Sequence, residues 1–162
     1  MTVRVLGIDP GTAVTGYGVV EPADGQSGRL IECGVIRTSP RQAMFRRLMT
    51  LYDGVTQLIE RHAPTVVAVE TAFYGRNVRT TLTLGQTRGV VLLAAAKAGV
   101  EVAEFPPATV KKSVVGEGGA AKAQVAYMVQ RLLRLKEAPA PSDAADACAI
   151  ALTYLIGKRK RA

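Results

Sequence analysis

At 162 residues the chain has the length of one domain and can bury a substantial core. Its 48% hydrophobic content excludes a disordered or low-complexity chain, and 5% aromatics leave the core to Val, Leu, Ile and Ala. Twenty-one Lys+Arg against 13 Asp+Glu give a net charge of +8, which suits a polyanion because each phosphate contact releases counterions, although a generic basic surface would have the same composition.

Val3 to Asp9 reads as a buried strand closed by an Asp-Pro-Gly turn, not as a leader. Thr15 to Val20 and Leu30 to Thr38 read as two further strands across a turn-rich link, together an antiparallel meander. Ser39, Pro40 and Gln42 then offer an N-cap, a Pro at N1 and a capping-box partner. Met44, Phe45, Leu48, Leu51, Tyr52, Val55, Leu58 and Ile59 follow at helical spacing, predicting a helix to about His62.

Thr65 to Val69 is a continuous apolar run of the kind found in strands covered on both faces, and it ends on Glu70. A second long helix is predicted over Arg79 to Ala98, where Gly85 and Gly89 could permit close helix packing. A fifth strand is predicted over Glu101 to Phe105 and a short helix over Thr109 to Val114. Gly116 to Gly119 reads as a flexible loop and Ala121 to Leu135 as a helix. Ser142 can cap a last helix running to about Ile156, ahead of the basic Lys158 to Arg161. This order predicts an α/β fold: one mixed sheet with helices on both faces.

Cys33 and Cys148 make no disulfide framework and read as buried free thiols, and one histidine cannot build a Cys/His metal site. The longest apolar stretch, Gly89 to Val100, is interrupted by Lys97 and too short to span a membrane, so a soluble cytoplasmic protein is expected.

Four carboxylates stand out. Val3, Val5, Gly7 and Asp9 alternate onto one face, so Asp9 continues a buried side, where a charge needs a partner or a cation. A turn-forming Asp before Pro-Gly is the plainer alternative. Glu70 places a charge directly after an uncharged strand. If that strand runs parallel to the first, both acids lie at the carboxyl edge of the sheet, where open α/β sheets bind ligands. A rim Glu paired with Arg is its alternative. Asp143 and Asp146, three apart, share one face of an Ala-rich helix whose small side chains would let it approach the sheet closely, although the helix dipole alone accounts for an acid at its start. Together the four make a hard-oxygen set of the kind that holds Mg²⁺ or Mn²⁺. Two ions about 3.5–4 Å apart could activate water and stabilise a leaving 3′-oxygen.

Six blocks occur in order: GIDPGTAVTGYGV (Gly7–Val19), Glu70 to Phe73, Leu84 to Val90, Val110 to Gly116, Ala121 to Val129 and Asp143 to Ala151. They resemble the bacterial RuvC family of crossover-junction endonucleases, the Holliday-junction resolvases, over nearly the whole chain from Arg4 to Tyr154. The resemblance implies a ribonuclease H-like five-stranded sheet forming one nuclease domain over 1–157, with a basic tail over 158–162. It also implies a homodimer on a four-way DNA junction, paired nicks that leave 5′-phosphate and 3′-hydroxyl ends, and partnership with the RuvA–RuvB branch-migration machine.

By position, Asp9, Glu70, Asp143 and Asp146 match the family's catalytic, metal-binding acids, served by Mg²⁺ or Mn²⁺ with two ions expected once DNA is bound. Lys111 and Lys122 match lysines at or near its active site, and Lys122 is assigned to catalysis with them. Phe73 matches an aromatic residue that stacks on bases. Tyr74, Arg76, Asn77 and Lys112 join Lys111 and Lys122 as DNA contacts, Arg76 standing where the family often has Lys. Leu82 to Val90 matches the family's dimer interface. The Asp-Pro-Gly-Thr turn also resembles that of actin-like ATPases and sugar kinases, but their two domains do not fit in 162 residues. A binding module without catalysis, or a related nuclease acting on RNA or another DNA structure, would share the basic surface.

Overall fold

The computed structural model describes residues 2–71 and 77–162. Three strands come first: β1 (Val5–Asp9), β2 (Val14–Ala23) and β3 (Gln26–Arg37). Then come α1 (Met44–His62), β4 (Val66–Glu70), α2 (Val78–Lys97), β5 (Glu101–Phe105), α3 (Pro107–Val115), α4 (Lys122–Leu132) and α5 (Ser142–Arg161). The sheet order is β3-β2-β1-β4-β5. β1, β2 and β3 pair antiparallel, while β4 pairs parallel with β1 and with β5. The expected meander and mixed five-stranded sheet are both present.

The period-2 alternation of β1 and β4 divides the core in two. Leu6, Ile8, Val67 and Val69 face α1 and α2, where they meet Leu51, Val55, Leu58, Val91 and Ala95. Val5, Val66 and Ala68 face the other way, onto Val110 and Val114 of α3, Val125 and Val129 of α4, and Ile150 and Leu152 of α5. Asp9 and Glu70 follow the second parity, so both carboxylates rise on the α5 face.

α5 lies against the sheet at backbone distance. Ala144, Ala145, Ala147, Cys148 and Ala151 are fully buried on it. The strands match them with glycines: a Cβ on Gly7 would stand 2.1 Å from the Ala147 carbonyl oxygen, and one on Gly16 would stand 1.9 Å from that of Asp143. The small side chains of α5 were legible in the sequence as a close-packing surface. The matching glycines beneath it were not.

Several local expectations are corrected. α1 begins at Met44 with Ala43 at its N-cap. Ser39 instead closes a turn, its carbonyl accepting from the Gln42 N–H at 3.1 Å and its hydroxyl from the Arg41 N–H at 3.3 Å. Ser142 is the first helical residue of α5, after Pro141, rather than its cap. The β2–β3 link is a tight turn, because Gly25 at φ 68° lets both strands run almost to its ends.

The basic residues 158–161 are helical and extend α5, not a separate tail. Arg159 donates to the Gln26 and Ala23 carbonyls at 2.6 and 2.9 Å, anchoring that end to the β2–β3 hairpin. Cys33 is half-buried, whereas Cys148 is fully buried as expected. Among the described residues no helix is long and apolar enough to cross a membrane.

Candidate active site

The parallel register aligns Ile8 with Val69, so the next residues, Asp9 and Glu70, end adjacent strands side by side at the carboxyl edge. On the other flank of β1, Asp9 pairs with Gly16 of β2. The Asp143 carbonyl sits in the space left by the missing Gly16 side chain. That contact brings the first turn of α5 beside the end of β1, and the three-residue spacing carries Asp146 to the same spot. One carboxylate oxygen each from Asp9, Asp143 and Asp146 lie within 4.8 Å of one another.

Glu70 stands outside this tightest group but lines the same cleft with Asp9 and Asp146. The cleft measures about 310 Å³. Lys111 from α3 and Lys122, the first residue of α4, form its basic wall. Their placement depends on Val110 and Val125 packing under α5. Lys122 Nζ lies 3.1 Å from Asp146 Oδ2. Lys112, on the same helix as Lys111, is exposed and does not line the cleft.

The electrostatics follow from this crowding. Burial, then the charges of Asp146, Glu70 and Asp143, push the Asp9 carboxyl up from 3.8 to about 7, against the opposing pull of Lys122. Burial and Asp146 push Glu70 up as well, opposed by Lys111 and Lys122. The hydrogen bond and charge of Asp146 raise Lys122. Three converging oxygen donors, one holding its proton to near neutrality, are a donor set that a hard divalent cation fits: it supplies the positive charge that the protein leaves out.

Asn77 has a structural task. Its side-chain oxygen accepts from the Arg79 and Thr80 N–H groups at 2.9 and 3.3 Å, capping α2. Phe73, Tyr74 and Arg76 lie outside the described residues. The sequence reading missed Arg88, whose Nε donates to the Glu70 carbonyl at 3.2 Å while its guanidinium pairs with Glu104. Arg88 thereby ties the end of β4 to α2 and β5. Its signal was a lone charge in the otherwise uncharged run from Thr80 to Ala96.

Comparisons with known proteins bear on this arrangement. The model of the family described as crossover junction endodeoxyribonuclease RuvC matches residues 5–154. A protein of that name from Pelotomaculum thermopropionicum is 51% identical over 150 residues, 93% of this chain and 91% of its own. Another from a Roseiflexus species is 50% identical over 151 residues, 93% and 89% respectively. The solved structure of Thermus thermophilus RuvC superposes with a TM-score of 0.89 at 41% identity, covering 98% of this chain and 97% of that one. The same protein in complex with Holliday junction substrate gives a TM-score of 0.92, with 98% and 96% covered. The sheet is therefore the ribonuclease H-like sheet of those structures, and the chain belongs to the RuvC family of crossover junction endodeoxyribonucleases.

Proposed function

We propose that this chain is a divalent-metal-dependent endonuclease that resolves four-way DNA junctions by paired nicks in opposed strands. The observation that carries this reading is the trio of carboxylates within 4.8 Å at the sheet edge, faced across one cleft by Lys111 and Lys122. A purely binding protein gains nothing from concentrating negative charge where a phosphate must approach. Family membership and the likeness to a RuvC structure holding a Holliday junction substrate support the choice of substrate.

In this reading Asp9, Glu70, Asp143 and Asp146 would hold Mg²⁺ or Mn²⁺, with two ions expected once DNA is bound. Metal held there would supply the chemistry of activating a water for attack and of stabilising a 3′-oxygen leaving group, which would leave 5′-phosphate and 3′-hydroxyl ends. Lys111 and Lys122 hold non-bridging phosphate oxygens and offset the charge that builds up on them. The Asn77 side-chain oxygen caps α2, and its NH₂, without a partner among the described residues, contacts a phosphate. Phe73 serves as a stacking platform for an unpaired base, with Tyr74 and Arg76 beside it, and Lys112 contacts the backbone from outside the cleft. Action in the cytoplasm with a RuvA–RuvB branch-migration complex belongs to the same reading.

The deciding experiment compares cleavage of a four-way junction, a linear duplex and an RNA–DNA hybrid in Mg²⁺ and in Mn²⁺. Symmetric nicking confined to the junction is expected, and equal cutting of the hybrid would overturn the substrate assignment. Lys122→Met is expected to lower kcat about 100-fold with little change in KM. Because Lys122 holds the Asp9 carboxyl down, Asp9 in the same variant should titrate at a higher pH in the metal-free protein, which an NMR titration in EDTA would show.

Paired nicking calls for two copies. Val78, Leu82 and Leu93 are exposed by 74%, 65% and 53% along one stripe of α2, and a Cβ on Gly85 or Gly89 between them would meet nothing within 4 Å. This apolar, narrow-waisted stripe suits the close approach of a second α2. Leu82→Asp is expected to give a monomer by sedimentation analysis and to replace paired incision with isolated single nicks.

A further inference from the structure

A second cavity, about 320 Å³, opens on the opposite face of the sheet from the carboxylate cleft. It lies where the β1–β2 loop meets the first turns of α1 and α2, and its lining includes Thr12, Arg47, Arg79, Thr80 and Thr83. Its chemistry is that of an anion site. Among the described residues no carboxylate pairs with Arg47 or Arg79. No acidic residue occurs from Cys33 to Tyr52 or from Thr71 to Val100, so the segments building this corner carry basic charge only.

Neither α1 nor α2 has an acid in its first turn, so no carboxylate offsets the positive dipole ends that both helices turn towards this corner, although Asn77 already caps the Arg79 and Thr80 N–H groups of α2. Arg47 is held in place: its Nε donates to the Thr38 hydroxyl at 3.3 Å and its Nη2 to the Thr12 carbonyl. Two of the five guanidinium N–H donors are thus used locally, and three remain for a ligand. The Thr83 hydroxyl donates to the Arg79 carbonyl at 2.9 Å, leaving its oxygen lone pairs and the Arg79 fork for other partners.

Thr12 lies three residues beyond Asp9, and Arg79 nine residues beyond Glu70, so this corner and the carboxylate cleft flank one sheet edge from its two sides. We propose that Arg47 and Arg79, with the threonine hydroxyls, form a second phosphate-binding site that grips the DNA backbone on the far side of the carboxylates from Lys111 and Lys122. The strand to be cut is then held on both flanks of the reacting phosphate, which fixes its position over the metal ligands. This proposal rests on the junction-nuclease function above.

The test measures binding of a labelled four-way junction as a function of salt, in EDTA so that nothing is cut. Arg79→Ala is expected to raise Kd roughly fivefold to tenfold near physiological salt and to reduce the slope of log K against log salt by about one. Lys136→Ala removes the same charge from the exposed α4–α5 connection and should leave the slope unchanged. Arg47→Gln should weaken binding as Arg79→Ala does, with its Tm monitored because Arg47 also braces the β1–β2 loop.

Neutral methylphosphonate linkages stepped along the cut strand should reveal one position, away from the scissile phosphate, that weakens wild-type binding but not that of Arg79→Ala. An unchanged salt slope in Arg79→Ala, with no such position, would overturn the proposal while wild-type cutting stood. Wild type that binds junctions without ever nicking them would overturn the nuclease function instead, and the salt slope would still report on the two arginines.

Discussion

Asp9→Asn is expected to lower the cleavage rate by on the order of 1,000-fold or more, to leave junction affinity within about threefold, and to make the metal-free protein more stable above neutral pH. The first effect follows from geometry: Asp9 is the only strand residue among the three acids whose oxygens converge, and an amide oxygen cannot supply the missing negative charge to a divalent ion. Losing one such ligand removes several kcal/mol of transition-state stabilisation, at about 1.4 kcal/mol per tenfold in rate. Affinity survives because phosphate contacts dominate it and none of them is removed.

The stability effect has a definite sign. The native Asp9 carboxyl is raised from 3.8 to about 7, so between these values the native state keeps a proton that the unfolded chain has lost. Its contribution to stability is fully present below about pH 4 and declines as pH rises through 7. Asparagine carries no such penalty. The variant and wild type should therefore unfold alike near pH 4, and the variant should lead by about 2 kcal/mol at pH 8, a value discounted because the carboxyl keeps some solvent contact. Denaturant titrations in EDTA at the two pH values would show this. Equal stabilities at pH 8 would mean that burial and the neighbouring acids do not penalise the Asp9 charge in solution, and adding Mg²⁺ or Mn²⁺ should stabilise wild type more than the variant.

Gly7→Ala should be among the costliest conservative changes in the sheet. The new methyl would stand 2.1 Å from the Ala147 carbonyl oxygen and 3.0 Å from the Ala151 Cβ. The obstacle is helix backbone and a neighbouring methyl, so no flexible side chain can move aside. α5 must lift, and with it the contacts of Ile150, Leu152 and Leu155 with α3 and α4. A loss of about 3 kcal/mol or more is expected, lowering Tm by on the order of 10 °C. Lifting α5 also carries Asp143 and Asp146 away from Asp9, so cutting should fall further than stability. Gly7→Ala with unchanged Tm and rate would show that α5 is not seated on the sheet as described.

Much of this was legible in the sequence because it is local. A charge directly after an apolar strand marked Glu70, and alternation placed Asp9 on a buried face. The i, i+3 spacing put Asp143 and Asp146 on one side of a helix whose alanines announced close packing. What escaped depends on contacts between distant segments. The matching of Gly7 and Gly16 to α5 needs the register of β1 with β2 and the seat of the helix upon both. Lys111 and Lys122 have no local pattern that separates them from solvated lysines, and only the packing of α3 and α4 turns them towards the acids. The helix end at 158–161 was misjudged because its fixed point, Arg159 on the β2–β3 hairpin, lies more than 130 residues away in sequence. Ser39 and Ser142 looked like caps, but each sits where the chain makes a turn or is already helical.

The seating of α5 on the first strands also bears on folding kinetics. Asp9 and Asp143 are 134 positions apart (143 − 9), and the glycine contacts that join their segments are equally non-local. Contacts of that range form late, because loop closure must be completed before they return any stabilisation. The early hairpin of β1 to β3 can form without them, but it carries only one of the three converging ligands. Cation affinity should therefore emerge in the final cooperative step of folding, and a partly folded chain would hold neither ion nor nuclease potential.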